Sequence, residues 1–201
     1  GAPMKIDWDK VNGLLPVIVQ DDSTSQVLML GYMNTEALKV TIQTQNITFF
    51  SRTKKRLWTK GEISGNTLAL QSMSLDCDGD TLLCKALPNG PTCHTGDITC
   101  FHDDTSNPIT FLQKLAQLIH TRAILRPKDS YTTSLLESGT ARIAQKVGEE
   151  GVELAIACMK DDKTEILNEC ADLFFHALVS LENADLKLED VCKILKVRHN
   201  A

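Results

Sequence analysis

Asp76-Cys77-Asp78-Gly79-Asp80-Thr81-Leu82-Leu83-Cys84-Lys85-Ala86-Leu87-Pro88-Asn89-Gly90-Pro91-Thr92-Cys93-His94-Thr95-Gly96-Asp97-Ile98-Thr99-Cys100-Phe101 carries four of the seven cysteines in the chain, three aspartates at alternate positions and the first histidine. Two kinds of metal ligand are interleaved in it. Cys77, Cys93 and Cys100 are soft thiolates suited to zinc. Asp76, Asp78 and Asp80 are hard oxygens suited to magnesium or calcium.

Six residues separate Cys93 from Cys100, and fifteen separate Cys77 from Cys93. A closed structural zinc site usually shows paired Cys-x-x-Cys ligands and fills four positions. Neither feature is present. The spacing leaves two readings. Three thiolates with a water in the fourth position make a catalytic site, where the water pKa falls to about 7. Alternatively these are ordinary buried, reduced cysteines, as expected of Cys84. An odd total and no secretory signal argue against disulfides.

If the segment is extended, Asp76, Asp78 and Asp80 share one face and Cys77 points the other way. Three converging carboxylates repel one another unless a cation lies among them. A calcium loop is excluded, because Thr81 stands where the turn glycine belongs and Leu87 where the bidentate glutamate belongs. A magnesium site and a solvated acidic turn both remain open at this point.

The 201 residues suffice for one large domain or two of about 100. With 42% hydrophobic and 23% charged residues, the composition is that of a globular protein. No run approaches the roughly 18 apolar residues of a membrane span. The net charge of −5 is spread over both halves, which argues against a general nucleic-acid binder. Gly1-Ala2-Pro3 before Met4 reads as a tag remnant, and the reduced cysteines point to the cytoplasm.

Upstream of the ligand segment the chain reads as strands. Val17-Ile18-Val19 and Val27-Leu28-Met29-Leu30 form a hairpin around Asp21 to Ser25. Asn34 caps a short helix ending near Thr44. Further strands are expected at Thr48 to Ser51, Arg56 to Lys60, Thr67 to Leu75 and Thr81 to Leu87. Arg52, Lys54, Lys55, Arg56 and Lys60 place five cations in nine residues. Lys54 and Lys55 suit a solvated hairpin tip. Arg52 and Lys60 are the better phosphate ligands, with Gly61 and Gly65 allowing close backbone approach.

These residues resemble a known family. Ser51-Arg52, Leu57-Trp58-x-Lys60-Gly61-Glu62-x-Ser64-Gly65-Asn66, Asp76-Cys77-Asp78-x-Asp80, Cys93-His94-x-Gly96 and Cys100-Phe101 are similar to phosphoribosyl-AMP cyclohydrolase, as is Gly31-Tyr32-Met33-Asn34. The match runs in one register from about Trp8 to Phe101. The resemblance implies zinc on Cys77, Cys93 and Cys100, and magnesium on Asp76, Asp78 and Asp80. It implies a homodimer with active sites at the subunit interface, and substrate contacts from Arg52, Lys60, Glu62, Ser64 and Asn66. Ring opening needs a proton shuttle, and His94 beside a ligand is the candidate, against a purely structural histidine.

His102 to Pro108 is polar, has no apolar periodicity and reads as a linker between domains at 4–104 and 108–199. Asn107 with Pro108 signals a helix start, followed by Ile109, Leu112, Leu115, Ala116 and Ile119 at helical spacing. A short segment runs from Ser130 to Gly139. Long helices are expected from Thr140 to Met159, with Ile143, Val147, Leu154 and Cys158 on one face, and from Lys163 to Glu182, with Ile166, Cys170, Phe174, Ala177 and Leu181. A last helix covers about Glu189 to Val197. The fold class is therefore an α+β domain followed by an all-α bundle.

Glu150 falls within the apolar series 143, 147, 150, 154, where an unpaired carboxylate is costly. Glu153 follows three residues on, and Glu169 and Asp172 repeat that spacing on the next helix, with His176 one turn further. Facing helices with two carboxylates each can hold magnesium. Solvated acidic faces with lysine partners are the alternative.

Glu149-Glu150-x-x-Glu153 followed by Glu169-x-x-Asp172 resembles the all-helical nucleotide pyrophosphohydrolases. Ser130-Tyr131-Thr132, Gln145-Lys146-Val147-Gly148-Glu149-Glu150, Ala171-Asp172-Leu173 and His176 narrow this to phosphoribosyl-ATP pyrophosphohydrolase, over about Leu112 to Arg198. Gly151 departs from the expected alanine and weakens its turn by up to about 1 kcal/mol. The resemblance implies magnesium on Glu149, Glu150, Glu153, Glu169 and Asp172, with Glu150 and Glu153 catalytic; Arg142 and Lys146, one turn apart, are the candidate phosphate partners. Both halves together resemble the fused enzymes of the second and third steps of histidine biosynthesis. Phosphoribosyl-ATP and phosphoribosyl-AMP are then the substrates. The alternative is a zinc-stabilised binding module joined to a house-cleaning nucleotide pyrophosphohydrolase.

Overall fold

The computed structural model describes residues 4–102 and 106–200. Asp103, Asp104 and Thr105 of the expected linker, and Gly1 to Pro3, lie outside the described residues. The chain divides into two compact units between Thr110 and Phe111. No helix among the described residues is long and apolar enough to cross a membrane.

In the first unit, strands β1 (Leu15–Asp21), β2 (Val27–Met33), β5 (Leu68–Leu75) and β6 (Leu82–Pro88) form one sheet in the order β2-β1-β6-β5. β1 runs antiparallel to β2 and parallel to β6, and β5 is antiparallel to β6. Helix α1 (Thr35–Thr44) follows β2, and β3 (Thr48–Ser51) with β4 (Arg56–Thr59) makes a separate two-stranded ribbon.

Sequence periodicity explains the sheet. In β1 every second residue is buried, so Leu15, Val17 and Val19 enter the core. Asp21 ends that series buried, and it is satisfied locally. Its Oδ1 accepts from the Ser23 and Thr24 amides and from the Ser23 hydroxyl, which closes the turn into β2. Asn34 caps α1 as expected, accepting from the Ala37 amide at 2.8 Å. Gly31 has ordinary backbone angles, and its constraint is space: a Cβ there would strike the ring of Phe49. The core gathers Leu28, Met33, Ile47, Phe49, Leu68, Leu82 and Cys84.

The second unit is helical: α2 (Thr110–Leu125), α3 (Tyr131–Ser138), α4 (Thr140–Lys160), α5 (Lys163–Asn183) and α6 (Leu188–Arg198). Pro108 was expected at the first helical position, but α2 begins two residues later, with Asn107 Oδ1 accepting from the Ile109 amide. Asp161 in the left-handed conformation ends α4, and Asp162 caps α5 through the Glu165 amide.

The core of this unit joins Ile119, Leu135, Leu136, Ile143, Leu178 and Val179. The buried faces differ from the expected ones. Ala157 is buried in place of Cys158, and His176, Leu178 and Val179 are buried while Phe174 is exposed. Other apolar side chains of the α4–α5 hairpin, Val152, Ile156, Met159 and Leu167, lie on the surface.

Candidate functional sites

In the first unit the expected extended segment at Asp76 to Asp80 is instead a turn between β5 and β6. The three carboxylates still converge, for a different reason. Asp76 Oδ1 accepts from the Asp80 amide at 2.9 Å and the Thr81 amide at 3.1 Å, which wraps the backbone around it. Gly79 permits the wrap with φ +76°, and the N-terminal segment crosses above it, where the Asp7 amide donates to the Gly79 carbonyl. Oxygens of Asp76, Asp78 and Asp80 thereby come within 4.8 Å of one another. Lys10 enters this cluster from the crossing segment, 2.5 Å from Asp78 and 2.9 Å from Asp80. Its ammonium, held well above the usual lysine range by hydrogen bonds to both carboxylates, is a tethered stand-in for a cation. Spacing gave no signal for Lys10, which lies 68 residues from Asp78.

Cys93 and Cys100 are hydrogen-bonding neighbours on the loop after β6. The Thr95 hydroxyl donates to Cys93 Sγ at 3.1 Å and holds that thiol below its usual range. Burial, then the neighbouring Cys93, push Cys100 up, and Lys60 pulls against them, which places Lys60 beside the pair. His94 is exposed, with Nδ1 4.0 Å from Cys93 Sγ. Cys77 is exposed, near Asp78, and does not join the other two thiols: among the described residues no group of three ligands includes it. His102, at the start of the expected linker, pairs with Asp97 at 3.0 Å. Cys84 is sealed in the core and its thiol is pushed up to about 12 by burial, so it is unsuited to act as a thiolate ligand.

The expected substrate residues line the adjacent ribbon. Arg52 stacks on the Tyr32 ring at 4.0 Å, and Lys60 lies over Trp58 at 5.2 Å. Glu62 is occupied, bound to Arg56 at 2.9 Å and accepting from the Thr59 amide. Ser64 accepts from the Asn66 amide, and the Asn66 side chain abuts Gly90, which brings the 61–66 loop beside the 88–91 turn.

In the helical unit, Glu150 is only 5% exposed. Its oxygens come within 4.8 Å of those of Glu169 and Asp172 across the α4–α5 pair. Glu153 reaches both Glu150 and Glu169. The Oε2 atoms of Glu150 and Glu169 are buried without partners. Buried orphan carboxylate oxygens beside a third carboxylate form the hard-oxygen set a divalent cation takes. Burial and the adjacent Glu153 and Glu150 raise Glu169 to about 7. Glu150 is itself opposed by burial, but Lys146 and its neighbours hold it below its usual range. Lys146 bridges Glu149 at 3.1 Å and Glu150 at 3.2 Å, and Arg142 lies near Glu149. Arg142 is exposed.

Each unit matches one family model: phosphoribosyl-AMP cyclohydrolase over residues 29–102, and phosphoribosyl-ATP pyrophosphohydrolase over residues 112–199. The histidine biosynthesis bifunctional protein HisIE of Vibrio cholerae is 55% identical over 197 residues, covering 97% of this chain and 94% of that protein. The chain belongs to the histidine biosynthesis bifunctional protein family. Other HisIE proteins match over nearly their whole length. The Campylobacter jejuni protein is 54% identical over 198 residues, covering 98% of this chain and 96% of its own. That of Photobacterium profundum is 53% identical over 200 residues, 97% of each. The strand-rich unit is thus the cyclohydrolase half and the helical bundle the pyrophosphohydrolase half, as the two motif sets implied.

Proposed function

We propose that the helical unit hydrolyses phosphoribosyl-ATP between its alpha and beta phosphates, and that the strand-rich unit then opens the adenine ring of the resulting phosphoribosyl-AMP. The observation that carries this reading is that each unit assembles its own ligand cluster. Buried, unpartnered oxygens of Glu150 and Glu169 meet Asp172 in one, and a Cys93–Cys100 pair accompanies the Asp76, Asp78, Asp80 turn in the other.

Zinc on the thiolates and magnesium on the carboxylates fit these donor sets, the first supplying an activated water for ring attack and the second neutralising phosphate charge. In the helical unit Glu150, Glu153, Glu169 and Asp172 are the binding set, and Glu149 stands at its edge. Lys146, which pairs with Glu149 and Glu150, and Arg142 one turn away would hold substrate phosphate.

In the strand-rich unit Arg52 and Lys60, with Ser64 and Asn66 on the facing loop, receive phosphoribosyl-AMP. Glu62 fixes that loop through Arg56 and the Thr59 amide. His94 carries a proton between water and the ring nitrogen. Cys77 stands apart from Cys93 and Cys100 within one chain, so the zinc set is completed by Cys77 of a second copy. The exposed Val152, Ile156, Met159 and Leu167 also support a homodimer. Seven free cysteines suit a reducing cytoplasm.

Ultraviolet spectroscopy and pyrophosphate release on phosphoribosyl-ATP test the reading. Cys77→Ser should abolish ring opening and leave pyrophosphate release nearly intact, and Glu153→Gln should do the reverse. Loss of both activities in either variant would refute two independent sites.

A further inference from the structure

His176 is polar, 4% exposed, and unused by the chemistry above. Its Nδ1 lies 2.7 Å from the Asp172 main-chain carbonyl oxygen, and its Nε2 lies 3.0 Å from the Tyr131 hydroxyl. A carbonyl only accepts, so Nδ1 carries the ring proton. Nε2 then offers a lone pair, and the Tyr131 hydroxyl donates to it. With its own proton committed, the Tyr131 oxygen can only accept from any further partner.

The pair is held firmly. Ser130 caps α3 through the Thr133 amide and fixes Tyr131 as the first helical residue. The Tyr131 ring stacks on Phe175 at 6.0 Å and meets His176 edge-on at 5.9 Å. Tyr131 is nevertheless half exposed. It is also close enough to Lys146, the partner of Glu149 and Glu150, to influence that ammonium. The hydrogen bonds run from the main-chain carbonyl of Asp172, whose carboxylate belongs to the cluster, through His176 to the Tyr131 oxygen.

We propose that Tyr131, oriented by His176, accepts a hydrogen bond from the attacking water of the pyrophosphohydrolase reaction. Ionised phosphate oxygens have no hydrogen to give such an acceptor. Water does, and so do the sugar hydroxyls of the substrate, whereas the Lys146 ammonium is already engaged by Glu149 and Glu150. Anchorage on Asp172, whose carboxylate belongs to the cluster, selects the water, and the split between kcat and KM below separates it from a sugar hydroxyl. The role is orientation: no proton passes to Tyr131, and His176 is a positioning residue. The inference rests on the assignment of the carboxylate cluster as the pyrophosphohydrolase site.

The test is steady-state pyrophosphate release from phosphoribosyl-ATP by the full chain with magnesium. Ring opening of phosphoribosyl-AMP and the unfolding temperature serve as internal controls. Tyr131→Phe should lower kcat about 10- to 100-fold with KM nearly unchanged, since misorientation of a reactant costs rates of that order. His176→Leu should behave alike. His176→Gln, whose side-chain carbonyl still accepts from the hydroxyl, should recover part of the loss. Wild-type kcat in Tyr131→Phe overturns the proposal. A rise in KM at unchanged kcat also overturns it and assigns Tyr131 to a sugar hydroxyl. Should His176→Leu fail to fold, Tyr131→Phe alone decides. Glu169→Gln separates the two levels. If it is inactive while Tyr131→Phe is fully active, only this inference fails. If Glu169→Gln itself keeps full activity, the site assignment fails.

Discussion

Lys10 Nζ lies 2.5 Å from Asp78 Oδ2, with Asp80 at 2.9 Å, so the acidic turn of the cyclohydrolase half already holds a positive charge supplied by its own chain. A divalent cation entering the turn must displace that ammonium or tolerate its repulsion. Removing it favours the cation in either case. Exposed ion pairs are weak, so Lys10→Gln should tighten manganese binding to this turn by only a few-fold. Calorimetric titration in a Glu169→Gln background isolates the turn from the helical cluster. Unchanged or weaker binding would contradict a competing role for Lys10.

Gly79 shapes the same turn. It has φ +76°, and a Cβ there would lie 2.7 Å from the Lys5 carbonyl oxygen. Gly79→Ala should cost roughly 1–2 kcal/mol from the left-handed conformation alone, plus the clash. It should weaken cation binding by spreading Asp76, Asp78 and Asp80. Denaturant unfolding and the same titration check both expectations, and a neutral substitution would show that the turn adapts.

Glu169 makes the metal-free protein sensitive to pH. Its carboxyl is raised to about 7, chiefly by burial and then by Glu153 and Glu150. Between the ordinary glutamate value and that point the folded state binds a proton that the unfolded state has released. Stability therefore falls as pH rises through this window, and is regained as pH drops through it. The unfolding temperature without divalent cations should be higher near pH 5 than near pH 7.5. Glu169→Gln should flatten that difference, as should excess magnesium, which binds the charged form. Parallel profiles for wild type and Glu169→Gln would exclude this residue as the cause.

Cys84 provides a control for the zinc ligands. It is fully buried in the β core with its thiol pushed up to about 12. Cys84→Ser introduces a hydroxyl into that core and should cost about 1–3 kcal/mol in denaturant unfolding. Zinc content, read by atomic emission, should be unchanged in Cys84→Ser and reduced in Cys93→Ser. Zinc loss on changing Cys84 would place it in the metal site.

Much of the fold was legible in the chain, because strand and helix periodicities are local. Apolar runs at Val17 to Val19 and Val27 to Leu30 marked the β1–β2 hairpin, Asn34 marked a helix start, and Glu150 stood out as a carboxylate in an apolar series. The two ligand motifs and their families could also be read, since each occupies a short stretch. The rest depended on approaches between distant segments. Lys10 over Asp78 and Tyr131 against His176 are contacts that spacing cannot encode, because side chains far apart in sequence meet only when the backbone brings them together. The aspartates converge through a turn that Asp76 itself caps, where the sequence alone suggested an extended strand. Residue type thus determined which chemistries the chain can perform. Tertiary structure decided which donors are satisfied, and so which carboxylates remain free to bind a cation: Glu150 and Glu169 keep orphan oxygens because burial separates them from water and no neighbour supplies a donor.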